Sequence, residues 1–350
     1  MNQILWGDSG EILQGFDDCT FDALVTDPPY GLIPPSQYDE AMIEDCLRAW
    51  LKGQRFRTKI KGYRKSEWDN MVPSPTIWTE VKRTMKDGAY GVVFASARTL
   101  DLMTMSLRLA GFEIRDTLMW LYSSGTPKSQ SVERYVNRIN PQEGHRYADI
   151  GTGLKPAYEP IILIRKPSPL TLGENALKNG PVGLQVGQVR IGDNVRFNEG
   201  ASKHQMRHSP KNEEGRWCVG RWPANVILDG EVGSGLEADF EASRYFYVAH
   251  PSKAEREDTG GHPTVKPVTL MSYLVRMTSA MGGSVLDPFC GSGTTGVACK
   301  SLGRQFVGID ADKHYCEISA HRIQNEMLMS PASPKTRAPS KDLSAQHNLF

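Results

Sequence analysis

Val285-Leu286-Asp287-Pro288-Phe289-Cys290-Gly291-Ser292-Gly293-Thr294-Thr295-Gly296 is the stretch on which the fold turns. A short apolar run ends in a carboxylate, a glycine-rich turn comes next, and Val297, Ala298 and Leu302 then fall on the apolar side of a helical pattern. Glycines in such a turn let the backbone approach a ligand closely and leave helix N–H groups free for an anionic group such as a carboxylate. Phe306-Val307-Gly308-Ile309-Asp310 reads as the next strand, with a terminal carboxylate placed to bind both hydroxyls of a ribose. Together these segments make a nucleoside-binding β-α-β unit. The turn also fits G-x-G-x-x-G, so a nicotinamide-dependent oxidoreductase is a competing reading. Against it stand the late position of the turn and a second motif for which a dinucleotide fold has no use.

Further apolar runs at Ala23 to Val25, Gly91 to Ala95, Leu118 to Tyr122 and Ile161 to Ile164 read as buried parallel strands, which makes the class α/β. Ile77, Val81 and Met85 share a helical face before Gly88, as do Leu100, Met103, Leu107 and Ala110 before Gly111. Cys316, Ala320, Ile323 and Met327 form the stripe of a final helix. From about 166 to 261 apolar runs become short and Gly, Pro, Asn and charged residues frequent, which reads as an insertion. Strand-like pieces remain within it at Asn225 to Leu228 and Tyr245 to Val248. The composition of 329–350 cannot bury enough surface to offset its ordering entropy, and disorder is expected there.

The second motif, Asp27-Pro28-Pro29-Tyr30, comes directly after the apolar run of residues 22–26, at the strand edge where open α/β sheets build their sites. The Asp27 carboxylate and the Pro28 carbonyl can each accept one N–H of an exocyclic amine. Such an amine is a poor nucleophile while its lone pair is delocalised into the ring, and two acceptors favour the pyramidal form. Pro28 and Pro29 restrict the backbone, so the acceptors are held in place beforehand. Tyr30 offers a flat face for a base swung out of a duplex. A plain turn after a strand would also contain this tetrapeptide, and only its pairing with the glycine turn decides the matter.

The net charge of +1 in 350 residues excludes a uniformly basic surface. The apolar runs are too short to span a bilayer, and residues 1–10 have no secretion signal, so a soluble cytoplasmic protein is expected. Six cysteines without a CxxC pair read as reduced, packed thiols. His204, His208 and Cys218 lie in a loop-like segment and are not read as zinc ligands, and no metal is expected. Between 48 and 65 there are eight Lys and Arg residues and no acidic one. Arg55, Arg57, Lys59, Lys61 and Arg64 are the DNA-binding candidates in it, with an ordinary solvated face as the alternative.

DPPY at 27–30 and DPFCGSGTTG at 287–296 resemble, in wording and order, the DNA N6-adenine and N4-cytosine amino-methyltransferases of the permuted, or β, class. Gly7-Asp8, His262-Pro263-Thr264-Val265-Lys266-Pro267 and Gly308-Ile309-Asp310 support the match, which covers roughly 1–165 and 262–328 as one catalytic domain. The resemblance implies a Rossmann-like methyltransferase fold with a seven-stranded mixed sheet flanked by helices, a target-recognition domain at 166–261 and a DNA-side loop at 31–73. It implies S-adenosylmethionine as cofactor, held by Asp8, His262, Thr264, Lys266, Asp287, Phe289, Gly291, Gly293 and Asp310. Asp27 and Pro28 would hold the target amine, with Pro29 in the same motif and Tyr30 stacked on the flipped base. The implied reaction is direct in-line methyl transfer to adenine N6 of double-stranded DNA, with cytosine N4 as the alternative. A bacterial or phage origin is implied. A cognate restriction nuclease and the choice between monomer and homodimer stay open.

Overall fold

The computed structural model describes residues 2–62, 68–125, 127, 129–198, 216–249 and 265–327. Arg64, His204, His208, His262, Thr264 and the expected disordered tail lie outside them. The strands are β1 (Asn2–Trp6), β2 (Phe21–Thr26), β3 (Met85–Phe94), β4 (Glu113–Leu121), β5 (Tyr158–Arg165), β6 (Ile191–Asn198), β7 (Arg216–Arg221), β8 (Val226–Asp229), β9 (Tyr247–Ala249), β10 (Ser284–Asp287) and β11 (Gln305–Asp310). The helices are α1 (Ser9–Ile12), α2 (Glu40–Leu51), α3 (Pro75–Thr84), α4 (Leu100–Leu109), α5 (Val132–Ile139), α6 (Leu172–Asn179), α7 (Gly230–Phe240), α8 (Val268–Thr278), α9 (Thr294–Ser301) and α10 (Lys313–Asn325).

Nine strands form one sheet in the order β1-β11-β10-β2-β3-β5-β4-β8-β9, and β6 pairs with β7 apart from it. The expected seven strands come from 1–165 and from β10 and β11; β8 and β9 extend them. The stretch 166–261 is therefore not wholly separate from the catalytic layer. Val189, Ile191, Ile227 and Ala249 are buried in the same apolar cluster as β2 and β10.

Side chains alternate across the sheet with period two, and both faces are apolar. Ala23, Val25, Val285, Ile161 and Leu163 point into one cluster with Leu270, Leu274 and Val275 of α8 and Val297 and Ala298 of α9. Leu24, Leu286, Ile162 and Ile164 point into the other, against Trp78 and Val81 of α3 and Met103 and Leu107 of α4. The result is three layers, helix on sheet on helix.

Three local expectations change. β5 runs antiparallel to both β3 and β4, while every other pairing in this sheet is parallel. Met85 opens β3 instead of closing α3, so Gly88 lies inside a strand. Met327 lies past the end of α10 and is exposed. In contrast Gly111, with φ +87°, comes just after the cap of α4 as a helix-ending glycine should.

Candidate active site

β2 and β10 are parallel neighbours, with Ala23 opposite Val285 and Leu24 opposite Leu286. That register brings the two sequence motifs to the same sheet edge although most of the chain separates them. The junction is a hydrogen bond: Thr26 Oγ1 donates to Asp287 Oδ1 at 2.7 Å. Thr295 Oγ1 donates to Asp287 Oδ2 at 2.6 Å, and the Phe289 amide to Oδ1 at 3.2 Å. Asp287 is buried, and burial pushes its carboxyl up to about 7, against the pull of the two threonine hydrogen bonds. Asp287, expected at the cofactor, lines the cavity and also clamps β2, its own turn and α9 through its two oxygens.

Beyond Asp287 the glycine turn folds back on β11. Gly291 N–H donates to Asp310 Oδ2 at 2.8 Å, and Asp312 N–H donates to Asp310 Oδ1 at 2.9 Å. Gly293 has φ +82°, and a Cβ there would collide with Ser319 Oγ of α10. Its glycine is thus required by the packing of α10 as well as by the turn. Phe289 packs edge-on against Trp78, ring centroids 5.8 Å apart. Cys290 is buried, and desolvation holds its thiol protonated, which suits a packing role.

At the β2 end, Asp69 Oδ1 accepts the amides of Tyr30 at 2.7 Å and Gly31 at 2.8 Å, and Thr99 Oγ1 donates to the Tyr30 carbonyl at 2.6 Å. These bonds fix the Asp-Pro-Pro-Tyr segment from its C-terminal side. Its side chains meet two partners. Lys266 Nζ lies 2.6 Å from Asp27 Oδ2 and 3.2 Å from Glu159 Oε2. The Tyr30 hydroxyl donates to Asp27 Oδ1 at 2.6 Å and also lies 3.1 Å from Glu159 Oε2. Burial opposes the Lys266 charge, but the Asp27 and Glu159 carboxylates outweigh it and raise the ammonium above its ordinary value. Burial first, and the same carboxylates second, hold the Tyr30 phenol protonated.

Lys266, expected at the cofactor, lines the shared cavity and pairs there with the Asp27 carboxylate. Glu159 was not legible as a site residue. The reversed direction of β5 explains the miss: in an antiparallel strand the first residues, not the last, reach the edge where the parallel strands end. The sequence signal was a charged residue just ahead of the apolar run 161–164.

A single cavity of about 1670 Å³ is lined by Asp27, Pro28, Pro29 and Tyr30 and equally by Asp287, Phe289, Gly291 and Asp310. Asp8, Arg55, Arg57, Lys59, Lys61, Glu159 and Lys266 line it as well. Asp8 caps α1 through the Gly10 and Glu11 amides and receives two hydrogen bonds from Arg55, at 2.5 and 2.7 Å. Arg55 thus straps its loop to α1, while Arg57, Lys59 and Lys61 are exposed on the cavity wall. Among the described residues no cluster of metal-ligating side chains occurs, and no helix is long and apolar enough to cross a membrane.

A family model described as DNA methylase, of the N6/N4 type, matches residues 21–321. The chain is 25% identical over 336 residues to the Type II methyltransferase M.HindIII of Haemophilus influenzae, covering 89% of this chain and 91% of that protein. It is 49% identical over 67 residues to the Type II methyltransferase M2.DpnII of Streptococcus pneumoniae, covering 19% of this chain and 25% of the relative. In fold it is similar to the cytosine-N4-specific PvuII DNA methyltransferase, with a TM-score of 0.51 at 16% identity over 92% of this chain and 86% of that one. Since the matched segment includes both strand ends that build the cavity and nearly all of the sheet between them, the chain belongs to the DNA methylase family of the N6/N4 type.

Proposed function

We propose that this protein transfers a methyl group from S-adenosylmethionine to N6 of adenine in double-stranded DNA. The observation that carries the reading is the shared cavity, in which the Asp27 carboxylate and the turn around Gly291 stand at the ends of adjacent strands. Small-molecule sites usually occupy 300–1,000 Å³, so about 1670 Å³ has room for a nucleoside cofactor and an extruded base together.

The residues present fit the cofactor. Asp310, at the tip of β11, suits the ribose hydroxyls, the Gly291 turn the charged methionine end, and Phe289 the adenine ring. When bound, S-adenosylmethionine supplies an electrophilic methyl on a sulfonium. Asp27 and the Pro28 carbonyl then accept the amine hydrogens and aim its lone pair, while Tyr30 and the prolines fix their geometry. The choice of adenine rests on Asp27 at the first motif position, a residue that within the resembling family favours adenine only statistically. Arg57, Lys59 and Lys61 face the phosphates at the cavity mouth. The stretch 166–261 is assigned to target recognition. The Type II names of the relatives make a cognate nuclease a reasonable partner, in a bacterial cytoplasm.

Incubating the protein and DNA with methyl-labelled cofactor, then digesting to nucleosides, tests this. Label in N6-methyladenosine is expected. Label in N4-methylcytosine moves the target amine to cytosine, and no labelled base overturns the reading.

A further inference from the structure

Lys266 offers three N–H groups, and three oxygens stand within reach: Asp27 Oδ2 at 2.6 Å, the Tyr30 hydroxyl at 3.1 Å and Glu159 Oε2 at 3.2 Å. Tyr30 in turn donates to Asp27 Oδ1 at 2.6 Å and lies 3.1 Å from Glu159 Oε2. Two carboxylates thus meet the same two donors, and for each donor the shorter contact goes to Asp27. Its two oxygens are engaged just where the target amine must be accepted. Lys266 is only 7% exposed, so water cannot readily replace a partner that it loses.

We propose that Glu159 is a positioning residue for methyl transfer, taking Lys266 and Tyr30 from Asp27 as the base amine arrives and so freeing Asp27 to accept the amine N–H. The inference rests on the methyltransferase reading above. A second acceptor already beside both donors lets them shift by a fraction of an ångström, and neither is left unsatisfied in a buried place. Glu159 also sets the charge. With Asp27 and Glu159 negative and Lys266 positive, the cluster carries one net negative charge. As the amine lone pair forms the N–CH3 bond and the pair of the broken S–CH3 bond stays on sulfur, the nitrogen becomes positive until it releases a proton to solvent. A negative cluster stabilises that charge as it develops. Glu159→Gln preserves the shape and one acceptor oxygen but makes the cluster neutral, so the Lys266 ammonium is held more strongly by Asp27.

The experiment compares full-length wild type, E159Q and E159D for kcat, for KM of S-adenosylmethionine and of DNA, and for thermal unfolding. For E159Q we expect kcat to fall about 10- to 100-fold, with both KM values within about threefold and Tm near that of the wild type. E159D keeps the charge and should recover part of the loss; it carries the test alone if E159Q does not fold. A wild-type kcat in E159Q, or a loss confined to KM or Tm, would overturn the assignment of Glu159 alone. A wild-type protein that labels no base would overturn the methyltransferase reading and this inference with it.

Discussion

Asp27-Pro28 and Asp287-Pro288 are the same dipeptide at the ends of neighbouring parallel strands, yet the two carboxylates live differently. Asp287 is 2% exposed, receives both threonine hydroxyls and one amide, and is pushed up to about 7 by burial. Asp27 lies on the cavity wall and is partnered by an ammonium and a phenol that it shares with Glu159. One carboxylate joins pieces of protein, and the other is held by side chains on the cavity wall. The dipeptide is common to both, so the residues after it make the difference. Both segments line the cavity, but Phe289 and the glycine turn fold the second back onto β11 and α9, which buries its carboxylate, whereas the second proline and the tyrosine leave the first against Lys266 and Glu159. Strand-end position alone therefore does not fix an aspartate's environment; its partners do.

The largest expected effect tests the open member of the pair. Asp27→Ala should lower methyl transfer by on the order of 10³-fold or more while cofactor affinity stays within about threefold, because its carboxylate is assigned to the amine. Equal losses in a binding titration and in turnover would place Asp27 at the cofactor and erase the contrast. Next in size is the wall beside Asp27. Replacing Arg57, Lys59 and Lys61 by Gln should weaken DNA binding and flatten the log-log salt dependence by about 2 to 3, with cofactor binding unchanged. A slope equal to that of the wild type would make these residues a solvated face. Arg55 is left out of that set because its guanidinium is already on Asp8.

The smallest effect sharpens the closed member. The folded Asp287 carboxyl holds its proton up to about 7, whereas an unfolded aspartate releases it near 3.9. Between those values the folded state binds more protons, so this group's contribution makes stability fall as pH rises. Asp287→Asn should flatten that part of the slope, seen as a wild-type-minus-variant stability that is greater at pH 5 than at pH 8 in urea unfolding. A difference that is the same at both pH values would mean that Asp287 is already ionised at pH 5.

The class of fold, the two motifs and their order were legible in the sequence because each is local. Short continuous apolar runs, a glycine turn and a proline-locked carboxylate state their geometry within a dozen residues. Lys266 was visible as a site residue, but its neighbour was not, since contact with Asp27 depends on how α8 is laid against the sheet. Glu159 left only a charge ahead of an apolar run, and the clamp from Thr26 to Asp287 left no local signal. A strand's direction is not written in its hydrophobic pattern, and cross-strand partners are chosen by register. Residues 166–261 show the same limit: short apolar pieces that look like an insertion become β8 and β9 once the edge of β4 offers them backbone hydrogen bonds. The sequence thus determined which chemical groups are carried on rigid strand ends. Only the tertiary structure decided which carboxylate meets a cation and which is sealed in, because hydrogen bonds and desolvation act between residues that the chain itself keeps far apart.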